Sequence, residues 1–444
     1  MATGIRQSAE HGWYWSYDGE PVVLLGGSEK DNLFQWTGTR LQDQLDDLVE
    51  AGGNFVRNTM SDRGEEDVSP FETSDDGSYD LDRWNESYWT RLSSFLDATA
   101  TRDVIVGLTL WDQHDFNGAK WNTHAWNPAN NRTLPADALP TSGGDHWQDR
   151  IEFFRTVEDG NETVLDYQER FVDEVLDYTL EYDHVIYNAT NEGWAGIEWE
   201  LHWAEYVLER AQHEGVKVDV GNMNLDPEDS VRKAIEYPDT FSYVELSQHN
   251  QDAAGSSGPE HYKKLQEWRT EVEEAVGPRP FNNVKIYGGF DGGNENAGTA
   301  DEAVRRFWRN VLGGCAACRF HRQVAAGEAT WGIGSSERAR RQIRSVRMVE
   351  EVVDLCRAVP RQEALLDRTA DEAYCAGVPE DSYVVYLPDG GDVTLSLGEG
   401  PHDVRYLDPE TATWTDDATI DGVGSQTISP SRTQCLLVVT QPPS

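Results

Sequence analysis

Residues 185–194 read Val-Ile-Tyr-Asn-Ala-Thr-Asn-Glu-Gly-Trp, and the rest of the chain is read outward from them. An apolar run rich in β-branched residues stops at Asn191-Glu192-Gly193-Trp194, and helical spacing begins near Glu198. This predicts a buried parallel strand whose C-terminal end carries a carboxylic acid into an open mouth. The same strand-then-helix alternation runs on both sides. Upstream, strands are predicted at 22–26, 54–58 and 104–110, with helices over 41–51, 84–99 and 164–182. Downstream, strands are predicted at 216–222, 241–250, 284–287 and 315–320, with helices over 200–213, 262–276, 300–312 and 343–359. Eight strands alternating with helices predict an α/β fold, a (β/α)8 TIM barrel. An Asp18-Gly19 turn between two strand-like runs predicts a hairpin ahead of it. After Pro360 the period shortens to two, as in Tyr383-Val-Val-Tyr-Leu387 and Cys435-Leu-Leu-Val-Val-Thr440, which predicts a C-terminal β-sandwich. The expected domains are therefore residues 1–360, the barrel with its hairpin, and 361–444, the sandwich.

Composition narrows the function classes. With 80 Asp plus Glu against 37 Lys plus Arg, the formal net charge is −43, which opposes binding to nucleic acid or an anionic membrane. The acid is spread along the chain, and only seven of the basic residues are Lys. Both features resemble proteins of salt-in halophiles, where high salt screens self-repulsion. No run approaches the roughly 18 apolar residues of a membrane span. The N-terminus has no apolar export segment, which leaves the compartment open with the cytoplasm favoured. Five sparse Cys argue against a disulfide framework, and Cys315-Ala-Ala-Cys318 reads as two buried thiols in an apolar run. No His pair falls at metalloprotease spacing, and no phosphate loop or dinucleotide turn is present, so no metal or cofactor is expected.

Strand ends supply the candidate site. Strand three leaves through Trp111, Asp112 and His114, strand six ends at His249, strand seven at Tyr287 and strand eight at His321-Arg322. Some fifty residues follow strand three before the next helix and carry Trp121, His124, Trp126 and Trp147. A loop of that length with that aromatic content suits a carbohydrate cleft, although half or more of these Trp are expected to pack the insertion to the barrel.

The Asn191-Glu192 pair resembles the strand-four signature of clan A glycoside hydrolases. The run Gly52-Gly-Asn-Phe-Val-Arg57 is similar to the Gly-x-Asn-x-x-Arg by which those enzymes set an Arg beside their carboxylates. The runs Tyr-Leu-Pro-Asp-Gly-Gly and Arg-Tyr-Leu-Asp-Pro-Glu resemble the collagen-binding-like sandwich that follows apiosidase-like barrels. The resemblance implies a glycoside hydrolase acting on a poly- or oligosaccharide, with Glu192 as general acid/base. Arg57, Asn191, Trp111, Asp112, His114, Trp194, His249, Tyr287, His321 and Arg322 are then expected to bind substrate. The family's nucleophilic Glu should end strand seven, but Gly288 and Gly289 stand there, and Asp291 is the nearest carboxylate. Asp112, Asp31 and Glu29 are further candidates for that second role. Two alternatives stay open. One is a polysaccharide lyase using Tyr287, His249 or His321 as base, with Arg57, Arg319 or Arg322 on a uronate carboxylate. The other is a carbohydrate-binding pseudoenzyme. Oligomeric state is not legible.

Overall fold

The computed structural model describes residues 4–116, 118–144, 149, 151–251, 253, 257–291, 297–323, 331–369, 371–379, 381–422, 424–430 and 434–442. Eight parallel strands form the central sheet: β1 Leu24–Gly27, β2 Phe55–Thr59, β3 Ile105–Asp112, β4 Val185–Asn191, β5 Val220–Gly221, β6 Val244–Glu245, β7 Phe281–Ile286 and β8 Ala317–Phe320. Their order is β5-β4-β3-β2-β1-β8-β7-β6. The seam between β5 and β6 is bridged where Ser242 N donates to Val220 O at 2.9 Å. The strands thus curl into the predicted (β/α)8 barrel. Every residue of β2, β3, β4 and β7 is buried, so none of these strands has the solvent-facing side that an alternating pattern would mark.

The helices are α1 Thr39–Glu50, α2 Glu86–Ala100, α3 Glu162–Thr179, α4 Ile197–His213, α5 Pro227–Glu236, α6 Gly258–Val276, α7 Ala300–Leu312 and α8 Glu337–Glu350. Each lays an apolar stripe on the barrel, as with Leu41, Leu45 and Leu48 of α1. Their starts are written in the sequence. Asn85 and Asn161 accept from backbone N–H groups in the first turns of α2 and α3, and Asp226 does so at α5 with Pro227 next to it.

Strands five and six depart from expectation. Only Val220–Gly221 and Val244–Glu245 are strand, and residues 247–250 turn as a 3-10 helix. Strand six therefore does not run to His249. The predicted hairpin forms, Trp15–Tyr17 against Glu20–Val22, with Asp18 and Gly19 both at positive φ in the turn. It is pinned to the barrel by Trp15, whose Nε1 donates to Asn282 Oδ1 at 3.0 Å.

Beyond residue 360 the chain is antiparallel. The strands are β9 Tyr374–Gly377, β10 Ser382–Leu387, β11 Val393–Leu397, β12 Pro401–Asp408, β13 Thr413–Asp421, β14 Gly424–Ile428 and β15 Cys435–Thr440. With Val359–Pro360 at one edge, β9, β10, β15, β12 and β13 make a six-stranded sheet, and β11 pairs with β14. Alternation assigns the faces. Cys375, Val385, Leu387, Leu437 and Val439 form one apolar cluster with Val393 and Leu395 of β11. Tyr374, Val384, Tyr386, Leu436 and Val438 belong to the barrel's core. Tyr386 stacks on Trp308 of α7, ring centroids 5.6 Å apart, and Arg338 of α8 pairs with Glu410 at 2.7 Å. All five Cys are buried. Among the described residues no helix is long and apolar enough to cross a membrane.

Candidate active site

The register of β3 on β4 sets Asp112 opposite Asn191, and Asn191 Nδ2 donates to Asp112 Oδ1 at 2.8 Å. Arg57 from β2 donates to the same Asn191 side chain at 2.8 Å. Asn191 is thus the hub that ties three neighbouring strands at the barrel's C-terminal end. The next residue, Glu192, has φ of 53°, a left-handed conformation that is costly for any residue but Gly. Local strain of this kind concentrates at functional sites, and here it aims the carboxyl into a cavity.

That cavity has a volume of about 350 Å³ and is lined by residues from most strand ends. Glu192 Oε2 meets His114 Nε2, and Glu192 Oε1 meets Lys285 Nζ. Burial pushes the Glu192 carboxyl up, but Lys285 and His114 outweigh it and hold the group below the usual carboxylate range. On His114, burial lowers and the Glu192 hydrogen bond raises; the net shift is upward. On Lys285, only 2 % exposed, burial wins and the ammonium is pulled below its ordinary value. Glu192 is therefore an ionised carboxylate held between the side-chain nitrogens of His114 and Lys285.

A second carboxylate, Asp31, follows β1. It meets Arg57 at 3.3 Å, Arg319 at 3.0 Å and Arg322 at 3.0 Å. Burial opposes its charge, but Arg57, Arg319 and Arg322 prevail and keep it well below the carboxylate range. The third is Asp112. It meets Arg63, which also bonds Asp115 at 3.0 Å, and it too is held low against burial. Tyr287 donates to Gln248 Oε1 at 2.9 Å, and burial, then Glu192 and Asp31, raise its phenol well above the ordinary value. His321 is driven well below its usual range by burial, so it is neutral.

Of the residues singled out from sequence, Asp31, Asp112, His114, Asn191, Glu192, Tyr287, His321 and Arg322 line this one cavity, and Arg57 stands behind it. Others lie elsewhere. Asp291 is exposed and outside the lining. His249 stacks on His261 at 4.1 Å and bonds the His261 carbonyl at 2.9 Å, because the chain turns there instead of continuing as strand. Trp194 lies beside the cavity, its ring 5.6 Å from that of His114. Trp111 is 2 % exposed within a nest of Trp126, Phe153, Phe171, Trp199 and Trp203. Trp121 and Trp126 are likewise buried in the insertion, and Trp147 lies outside the described residues. Trp111→Ala is therefore expected to lower stability by about 3–5 kcal/mol through a core cavity. Denaturant titration should show that loss while sugar affinity of the folded protein stays unchanged.

Lys285, Arg63, Lys120 and Trp331 also line the cavity and were not anticipated. Lys285 had a signal. In the buried strand Phe281–Ile286 an inward Lys needs a counter-charge, and the facing strand ends in Glu192. Among the described residues no group of three or more His, Cys, Asp or Glu is disposed to hold a metal ion.

No family model matches the sequence, and no curated protein matches it significantly. Solved structures do match the fold. A glycoside hydrolase family 5 protein from Bacteroides vulgatus superposes with a TM-score of 0.66 at 11% identity, covering 98% of this chain and 93% of that one. A putative glycoside hydrolase from the same organism gives 0.66 at 14% identity, with 99% and 82% coverage. The family 5 mannosidase from Rhizomucor miehei gives 0.55 at 14%, with 79% and 99% coverage. At such identities the likeness is one of fold: the chain shares the (β/α)8 barrel of these hydrolases.

Proposed function

We propose that the cavity cleaves a glycosidic bond, with Glu192 as its general acid/base. The observation that carries the reading is Glu192 itself, strained at the end of β4 and facing His114 and Lys285 inside the cavity. A general acid needs a proton near neutral pH, yet Glu192 rests ionised. His114 resolves this. The two groups share one proton across their hydrogen bond, and a sugar that expels water penalises the separated charges. The proton then moves to Glu192 Oε2 and on to the leaving oxygen. Asp112, which lines the same cavity, is the second carboxylate in this reading, in preference to the exposed Asp291. It activates a water or attacks the sugar directly, according to its spacing from Glu192 in the complex.

The test is the product. Hydrolysis releases reducing ends without ultraviolet-absorbing unsaturation, whereas a lyase releases unsaturated sugars. Of the three candidate lyase bases, the phenol of Tyr287 is held protonated and His249 lies outside the cavity, which leaves His321 alone for that role. A second reading, the binding pseudoenzyme, is favoured by one observation. Gly288 has φ of 120°, and a Cβ there would lie 2.4 Å from Thr299 O, so the backbone at that point excludes any carboxylate-bearing side chain. Binding of oligosaccharides without turnover would select it.

In the same proposal, residues 1–360 form the catalytic domain and 361–444 a sandwich-type accessory domain. The charge of −43 is adaptation to salt. Melting temperature should then rise by more than about 5 °C between low and molar potassium chloride, as surface repulsion is screened. Indifference to salt would refute the halophile reading.

A further inference from the structure

The cavity's charge runs against that of the molecule. In a chain with 80 acidic and 37 basic residues, four of the fourteen cavity-lining residues are cations, Arg63, Lys120, Lys285 and Arg322, against the three carboxylates Asp31, Asp112 and Glu192. Two of the chain's seven Lys are spent here. Behind the wall, Arg57 and Arg319 are buried as well, as are the carboxylates Glu245 and Asp115, the latter 3.0 Å from Arg63 and 4.0 Å from Lys120. The imbalance is sharpest at Asp31, where one carboxylate faces three guanidinium groups. Burial, together with Arg57 and Arg322, brings Arg319 down to about 10 even with Asp31 beside it. The Nε atoms of Arg57 and Arg319 are buried without a hydrogen-bond partner among the described residues. Packing like charges in a low-dielectric wall costs free energy, offset in part by the bonds of Arg319 to Val284 O and Ser28 Oγ and of Arg57 to Asn191. A second negative group at that point would relieve it.

Two aromatic rings complete the wall. Trp331, half-buried, offers its face to the C–H face of a sugar ring, and the buried Tyr287 ring backs it with centroids 5.9 Å apart. Arg322 remains partly exposed, so its guanidinium is reachable from the cavity while its Nε stays on Asp31.

We propose that this cavity takes an anionic sugar residue, a uronate or a sulfate ester, with Arg322 as the principal recognition group and Lys120 as its auxiliary. The inference rests on the carbohydrate reading above and deepens it by naming the substrate class. Neutral sugars satisfy the aromatic wall but leave the surplus guanidinium charge unpaired.

The experiment is calorimetric binding to full-length protein at one fixed salt concentration, because screening alters any charge-driven affinity. Three sets of oligosaccharides of matched length are compared: neutral, uronate-containing and sulfated. At least one anionic set should bind roughly tenfold or more tightly than the neutral set, the scale of a charge-assisted contact, and the winning set identifies which anion is taken. Arg322→Gln should abolish that preference, Arg322→Lys should restore part of it, and Lys120→Gln should reduce it. An anionic preference that survives Arg322→Gln overturns the assignment. So do equal affinities across the three sets, or no measurable binding by any. Tight anionic binding without release of reducing ends keeps this inference and refutes the hydrolase reading. Turnover of neutral glycans with equal binding does the reverse.

Discussion

Glu192→Gln should lower turnover by roughly 10²–10⁴-fold, the usual contribution of a general acid/base, while oligosaccharide binding survives. The exchange keeps the shape and the left-handed backbone at that position but removes the atom that accepts and returns the proton. It also removes the negative charge that raises His114. The imidazole of the variant should therefore titrate lower than in the wild type, which proton NMR of the His114 ring can read. In the wild type, raising the pH through the elevated His114 value strips the shared proton, so activity falls on the alkaline side. His114→Gln should move that alkaline limb. Asp112→Asn is expected to cost more activity than Asp291→Asn, since only the former lines the cavity. Were Glu192→Gln to keep more than about a tenth of the wild-type rate, the acid/base role would be lost.

Asp31→Asn should be the most destabilising single change at the site. Asp31 is 6 % exposed, and it neutralises Arg57 and Arg319, which are 2 % and 0 % exposed. Removing one partner of a buried ion pair costs about 3–5 kcal/mol because the other charge stays buried and unmatched. That is a third or more of the 5–15 kcal/mol typical of a folded domain. The denaturant midpoint should fall with little change in slope. The sign of the pH effect follows. The folded Asp31 value lies below the unfolded one, so its contribution is full above the ordinary carboxylate range and is lost as pH falls through the folded value. Asp389→Asn is the contrast. Its partner is Arg305, but Asp389 is 70 % exposed, and its loss should cost under about 1 kcal/mol.

The barrel was legible because buried parallel strands and amphipathic helices have different periods, and because Asn85, Asn161 and Asp226 mark helix starts. Strand ends carry catalytic groups in such barrels, so Asp112, His114, Glu192, Tyr287, His321 and Arg322 could be gathered before any coordinates. Where the reading failed, local pattern lost to tertiary geometry. Residues 241–250 alternate like a strand, yet the chain turns after Glu245, whose carboxylate accepts from the Ser247 N–H at 3.1 Å. That turn carries His249 away from the cavity. Helix α5 was not delimited, since its ten residues bury only a short apolar stripe. Trp111 looked like a sugar platform because exposure is invisible in sequence, and an aromatic at a strand end serves the core equally well. Arg63 and Lys120 lie on loops, where no period announces which side chain turns inward.

The central claim is that a glycan is cleaved beside Glu192. Its most direct test is a crystal of the Glu192→Gln protein soaked with an oligosaccharide that the wild type degrades. The account predicts the sugar in the cavity between Tyr287, Trp331 and Arg322. The oxygen of the scissile bond should lie about 2.6–3.2 Å from the side chain at position 192, within general-acid reach. A sugar bound with that oxygen beyond the reach of residue 192, or seated on the C-terminal sheets with the cavity empty, would contradict it.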